Sequence, residues 1–328
     1  MKKTPVALLL ALALSLSCFT LAESDAAYEP VTITLNLERT GLGENVEYTI
    51  AEMPRAVVAS GDQMADMFFD LGLERYMAGF TRGSCWGTAS EYAARDIVPQ
   101  LAEPGAGLST LSKEELLATG CDFLIGWDSV FSDKNFGSDF CRENGVTMYF
   151  PYVCTDSATF ESLYRDYETL GDIFNVEALA AEKIEAMKST LESLRATLGE
   201  EVYADPISVF VYDSGEETPF TACQGMPGEI IKAAGGISIF HDIEAGWARP
   251  SWEEVIARDP DAIVIMDYTG EENVAAKTEF LKTNAFTREL RAVREGRIYA
   301  VCCSDMQGSA GSARAAESLA RQLYPEKF

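Results

Sequence analysis

The sequence predicts an α/β protein: two Rossmann-like lobes with mainly parallel sheets, joined by one long α-helix. Three observations carry this. Short apolar strands alternate with amphipathic helices in both halves of the chain, the pattern of parallel sheets covered on both faces. A breaker-free helical stretch, "VEALAAEKIEAMKSTLESLRATL" at 176–198, separates the two alternating regions. One corner is written twice, as "TLSKEELLATGCDFLIGWD" at 110–128 and "PSWEEVIARDPDAIVIMDY" at 250–268.

The first 22 residues read as an export signal. Lys2 and Lys3 precede an apolar run from Val6 to Leu16 that is too short to span a bilayer, and small residues follow. Two processing sites compete. "SLSC" offers Cys18 for lipidation, with Ser15 where an aliphatic residue is usual, and "TLA" before Glu23 suits an ordinary signal peptidase. Either way the mature chain belongs outside the cytoplasmic membrane, periplasmic or lipid-anchored at the surface. No later stretch has the length and apolarity of a membrane span.

Export also frames the composition. The formal charge is −26, more negative still without Lys2 and Lys3. Such a chain repels nucleic acid and anionic headgroups, so a solvated acidic surface is the plain reading. Seven cysteines follow Cys18, none in a C-x-x-C pair; export permits disulfides, but spacing does not give their connectivity. His241 is the one histidine, which excludes a metal site built from several imidazoles. No resident metal or cofactor is expected.

The elements follow in order. "VTITLNL" and "VEYTI" alternate around "GLGEN", a hairpin pattern, and "RAVVAS" is a short buried-type strand. "GDQMADMFFDLGL" is a helix whose stripe of Met64, Met67, Phe68 and Leu71 suits core packing. The strand "RYMAGFT", the first corner with its strand "DFLIGW", the helix "SDFCRENG" and the strand "VTMYF" complete the first lobe. "FESLYRDYETLGDIF" precedes the long helix, whose Ala, Leu, Glu and Lys content favours helix and which stops at Gly199. It spans roughly 35 Å, a stiff rod rather than a flexible hinge. "ISVFVYD", the turn "CQGMPG", the helix "EIIKAAGG", a loop with His241 and Trp247, the second corner, a helix "KTEFLKTNAFTREL", the strand "RIYAV" and the helix "ARAAESLARQLY" then close the chain. The implied boundaries are a leader over 1–22, an N-terminal extension with strands over 23–53, an N-terminal α/β lobe over 54–158, a helical connector over 159–199 and a C-terminal α/β lobe over 200–328.

The physics of the corner is legible. Ser112 with Glu115, and Ser251 with Glu254, form the S-x-x-E capping box. The glutamate between them, Glu114 or Glu253, has no capping duty and can point outward. Either one alone would simply offset a helix dipole. Two equivalent glutamates make a pair of fixed negative posts.

The corners, with "RAVVASGDQMADMFFDLGLERYMAGFT", "GWDSVFS", "LGDIFNVEALAAEKI", "GMPGEIIKAAGG" and "EGRIYAV", resemble substrate-binding proteins of ABC importers for iron complexes and cobalamin, over nearly the whole chain from about residue 54. The resemblance implies two lobes joined by one long helix and a ligand cleft between them. It also implies docking of Glu114 and Glu253 onto arginines of a membrane permease, which works with its ATPase. Cys121 stands where the family usually has Pro, as Pro260 does in the second copy, and is expected to alter that turn. A monomer carrying a small-molecule iron complex is expected, a ferric siderophore first, with heme and cobalamin as alternatives.

Ligands of open parallel sheets gather beyond the carboxyl ends of the strands. That rule nominates Arg82, Trp127, Tyr152, Tyr212 and Tyr268, with Trp86, Trp247 and Arg249 in nearby loops. Aromatic walls with a few guanidinium groups suit a large, flat or anionic complex; packing is the alternative for each ring, and weighs equally for Tyr152 and Tyr212, while Trp127 and Trp247 are favoured as ligand contacts. Heme would need an axial ligand from His241, Met306 or Tyr268, and a lone loop histidine is more often a polar surface group. "CQGMPG" could hold an anion but lacks the Lys and Ser/Thr of a nucleotide P-loop. The rival class is a hydrolase using Cys223 or Cys303. It finds no G-x-S-x-G elbow, and any Cys–His mechanism would rest on His241 alone, so no enzyme is expected.

Overall fold

The structure, a computed structural model, describes residues 28–37, 43–82, 97–103, 108–268 and 271–328. The described chain opens on an antiparallel hairpin, β1 (Val31–Leu37) with β2 (Gly43–Ile50). Alternation turns Ile33, Leu35 and Ile50 inward, while Thr32 and Thr49 meet outside with hydroxyls 3.0 Å apart.

The first lobe comprises β3 (Val57–Ser60), α1 (Asp62–Asp70), β4 (Met77–Thr81), α2 (Lys113–Ala118), β5 (Phe123–Ile125), α3 (Ser138–Glu143) and β6 (Thr147–Tyr149). Its strands form a parallel sheet in the order β4-β3-β5-β6. β3 and β5 are buried along their whole length, as strands covered on both faces must be. The stripe on α1 is core: Met64, Met67, Phe68 and Leu71 are all buried.

Two helices cross to the second lobe. α4 (Phe160–Phe174) stops at Asn175, in the left-handed region at φ 54°. α5 (Glu177–Leu198) runs 22 residues, about 33 Å at the helical rise. Its stop is Gly199 at φ 81°, a conformation that a side chain would resist.

The second lobe comprises α6 (Glu200–Ala204), β7 (Ile207–Tyr212), β8 (Thr221–Ala222), α7 (Gly225–Ala233), β9 (Gly236–Ser238), β10 (Trp247–Ala248), α8 (Trp252–Arg258), β11 (Ala262–Asp267), α9 (Glu271–Thr283), α10 (Arg291–Arg294), β12 (Ile298–Cys302), α11 (Cys303–Met306) and α12 (Ser312–Leu323). Its parallel sheet runs β12-β11-β7-β9. Read from each lobe's first strand, the two sheets share one order: the second strand on one side, the third and then the fourth on the other. The corner helices α2 and α8 therefore feed the same strand of each lobe, β5 and β11. Along β7 and β11, Val209, Val211, Val264 and Met266 join the large core shared with α7 and α12. Phe210, Tyr212, Ile263 and Ile265 face a separate core closed by Trp252 and Leu281. α5 packs on α4 at one end and on α12 and α7 at the other, so it belongs to both lobes.

One reading needs correction, and one element went unread. The helix expected over 277–290 begins at Glu271 and ends at Thr283. There Asn284 Oδ1 accepts the Phe286 N–H at 2.8 Å, a local turn that competes with another helical turn. The short antiparallel pair β8–β10 was not foreseen, because its two-residue strands carry no period. Among the described residues, no helix is long and apolar enough to cross a membrane.

Candidate ligand crevice and docking corners

Both corners fold as capping boxes. Ser112 Oγ accepts the Glu115 N–H at 3.1 Å while Glu115 accepts the Ser112 N–H at 2.7 Å. Ser251 and Glu254 repeat this at 3.2 and 2.7 Å. These bonds, the backbone one first, hold Glu115 and Glu254 below the usual carboxylate range. The glutamates in between, Glu114 and Glu253, are exposed, and neither has a partner among the described residues.

Each corner ends on an aspartate tied to its lobe's first strand. Asp122 accepts the N–H groups of Arg55 and Ala56, both at 2.9 Å, just before β3. Asp261 accepts the Ser208 N–H at 3.0 Å and its hydroxyl at 2.6 Å, at the start of β7. Cys121 changes less than expected. Gly120 at φ 76° precedes it as Asp259 at φ 35° precedes Pro260, so a left-handed residue makes both turns. The difference is an N–H, which Cys121 donates to Thr119 Oγ1 at 3.2 Å and Pro260 lacks.

Between the lobes lies a crevice with Trp127, Val153 and Asp156 on the first-lobe wall and Gln224, Met226 and Trp247 on the other. Glycines let the walls close: a Cβ on Gly308 (φ 86°) would sit 2.8 Å from Val153 Cβ. The enclosed space is about 30 Å³. That is room for about one water molecule, so a larger ligand requires the walls to part.

The nominated residues divide. Trp127, just beyond β5, and Trp247, in β10, come together in this crevice. Trp247 stacks on Phe220 at 5.1 Å, and the Arg249 guanidinium lies 4.4 Å over the other partner of that pair, the Phe220 ring, with Arg249 itself exposed. Phe220 is a contributor that sequence reasoning missed, since its role depends on β8 pairing with β10. Arg82 directly follows β4 and is partly buried. Trp86 and Cys18 lie outside the described residues.

Tyr152 and Tyr212 are engaged in other contacts. Tyr212 is 2% exposed and stacks on Phe210 and Phe280 with Trp252 edge-on, because α8 and α9 cover that end of β7. Burial, with Glu216 and Asp213 nearby, pushes its hydroxyl up to about 12. The Tyr152 hydroxyl donates to the Thr34 carbonyl of β1 and its ring lies 3.9 Å under Arg165, so it braces the hairpin. Tyr268 sits beyond β11 and is half-buried, its hydroxyl donating to Asp213 at 2.6 Å. Lys277 locks this end of the sheet by donating to the carbonyls of Met266, at 2.7 Å, and Asp213. Burial, partly offset by Asp213 and Cys303, lowers its amine.

A larger hollow of about 680 Å³ lies beside α5, lined by Phe160, Leu191, Tyr203, Lys232 and His241. It adjoins the crevice, sharing Gln224 and Gly225 with it, and Ser238 at the carboxyl end of β9 also lines it. His241 is exposed there, with Nδ1 2.8 Å from the Ser238 carbonyl, rather than in the crevice. Met306 is buried in the core. Neither candidate nucleophile is primed: burial pushes the Cys223 thiol up to about 11 and the Cys303 thiol up to about 12. Cys302 is disulfide-bonded, whereas Cys121, Cys141, Cys154, Cys223 and Cys303 are not in disulfides.

Known proteins share this arrangement. The sequence profile of the family described as periplasmic binding protein matches residues 128–301. The uncharacterized ABC transporter substrate-binding lipoprotein YvrC of Bacillus subtilis is 21% identical over 87% of this chain and 84% of its own length. A vitamin B12-binding protein of Vibrio cholerae is 25% identical over 65% of this chain and 71% of its own. Among solved structures, a periplasmic binding protein from Veillonella parvula aligns with a TM-score of 0.81 at 27% identity, covering 90% of this chain and 99% of that one. An ABC-type Fe3+-hydroxamate transport system from Saccharomonospora viridis has the same fold, with a TM-score of 0.73 at 18% identity over 89% and 98%. With the profile spanning more than half of the sequence and the duplicated lobes built as in these structures, the chain belongs to the periplasmic binding protein family.

Proposed function

We propose that this protein captures an iron complex, a ferric siderophore first, between its lobes outside the cytoplasmic membrane, and delivers it as a monomer to an ABC permease and its ATPase through Glu114 and Glu253. The carrying observation is the crevice itself, where two lobes of identical strand order bring Trp127 and Trp247 onto one small space. Rings on both lobes can hold a flat or bulky chelate by stacking, and Arg249 beside Phe220 adds a cation for an anionic one. Processing of the leader, at Cys18 or before Glu23, belongs to the same reading.

Cobalamin is the second reading, favoured by the Vibrio cholerae relatives named for vitamin B12 binding. Heme has less support, since His241 faces the hollow beside α5. The test is a tryptophan-fluorescence titration with ferric siderophores, heme and cyanocobalamin, after recording the visible spectrum of the protein as isolated. Saturable quenching by a ferric siderophore is expected. A folded protein that responds to none of the three would sink the proposal.

A further inference from the structure

Among the described residues, five large apolar side chains are exposed: Ile97, Leu117, Ile256, Phe286 and Phe328. Two of them share a register. Leu117 is three residues after Glu114 on α2, and Ile256 is three residues after Glu253 on α8, so each lies on its glutamate's face of the helix. Their exposures are 38% and 39%, while the residue just before each, Leu116 or Val255, is fully buried. Each helix has thus spent one aliphatic residue on the core and left the next in water, in both lobes. Scattered surface leucines need no explanation, but a repeat in register with the exposed acid does.

We propose that Leu117 and Ile256 are the apolar half of a docking contact made once per lobe. At each corner the carboxylate meets a basic group and the aliphatic side chain enters an apolar hollow beside it. The partner is the extracytoplasmic face of the permease, carrying two such basic-plus-apolar sites. This rests on the permease reading above. Charge decides against a second copy of this chain, because opposed corners would bring unpartnered glutamates together on molecules of formal charge −26. The division of labour is physical: the acids steer and orient, and the aliphatics add contact that salt does not screen.

The experiment measures affinity for the cognate permease–ATPase complex in nanodiscs, at low and high salt. It compares the wild type, Leu117→Ser with Ile256→Ser, Glu114→Gln with Glu253→Gln, and the exchange Leu117→Ile with Ile256→Leu. The serine pair is expected to bind about ten- to a hundredfold more weakly while keeping the wild-type salt dependence. The glutamine pair should lose most of that dependence, and the aliphatic exchange should dock as the wild type does. Wild-type docking by the serine pair, with docking lost in the glutamine pair, overturns this inference and leaves the permease reading standing. Wild-type docking by both pairs overturns the reading itself. A wild-type dimer in sedimentation that the serine pair converts to monomer would assign the patch to self-association and also overturn the inference.

Discussion

Asp166 on α4 accepts the hydroxyl of Tyr149 at 2.7 Å from a position with no solvent exposure. The same carboxylate accepts the N–H groups of Tyr152 at 2.9 Å and Val153 at 3.0 Å. It thereby fixes the turn whose Val153 touches Gly308 across the crevice. Sheet, connector and crevice wall meet at one acid.

Burial pushes Asp166 up to about 7, against the pull of its three donors. The folded protein therefore keeps a proton that the unfolded chain releases near pH 4. This group's contribution is fully present below about pH 4 and is lost as pH rises through about 7, an effect of at most about 4 kcal/mol. Urea unfolding between pH 4.5 and 7.5 should show the slope, and Asp166→Asn should flatten it. Equal slopes in the two proteins would show that Asp166 titrates normally.

Eight positions separate an exposed glutamate from a hydrogen-bonded aspartate in each corner. Asp122→Ala and Asp261→Ala each leave strand-end N–H groups without their acceptor, and should cost about 1–3 kcal/mol in urea unfolding. Glu114→Ala and Glu253→Ala should leave the midpoint where it is. A midpoint drop for the glutamates as large as for the aspartates would contradict this division.

The aromatics sort the same way. Tyr212→Ala empties a core site and should cost about 3–5 kcal/mol, whereas Tyr212→Phe gives up a single 3.4 Å bond to the Gly215 carbonyl and should leave ligand affinity unchanged. Trp127→Ala should instead weaken ligand binding about tenfold or more while the fold persists. Reversed results in the titration would move the ligand site.

The thiols should be silent in the native protein. With Cys223 held up to about 11 and Cys303 to about 12 behind buried surroundings, iodoacetamide at pH 8 should label them after denaturation and not before. Rapid native labelling of Cys223 would reopen the nucleophile that the sequence first suggested.

The sequence by itself determined what is local or periodic. The two capping boxes, the stop of α5 at Gly199, the buried stripe of α1 and the repetition of the corner all follow from spacing, because each depends on neighbours within a few residues. Even Leu117 and Ile256 were written there at matching positions, although their exposure was not. What only the tertiary structure decided is which aromatic faces water and which faces protein. Tyr212 and Trp127 both lie at carboxyl ends of central strands. Trp252 and Phe280 close over Tyr212, while Trp127 and Trp247 both line the crevice. That outcome depends on helices remote in sequence arriving at one strand end, and burial is a property of the assembled lobes rather than of any segment within them.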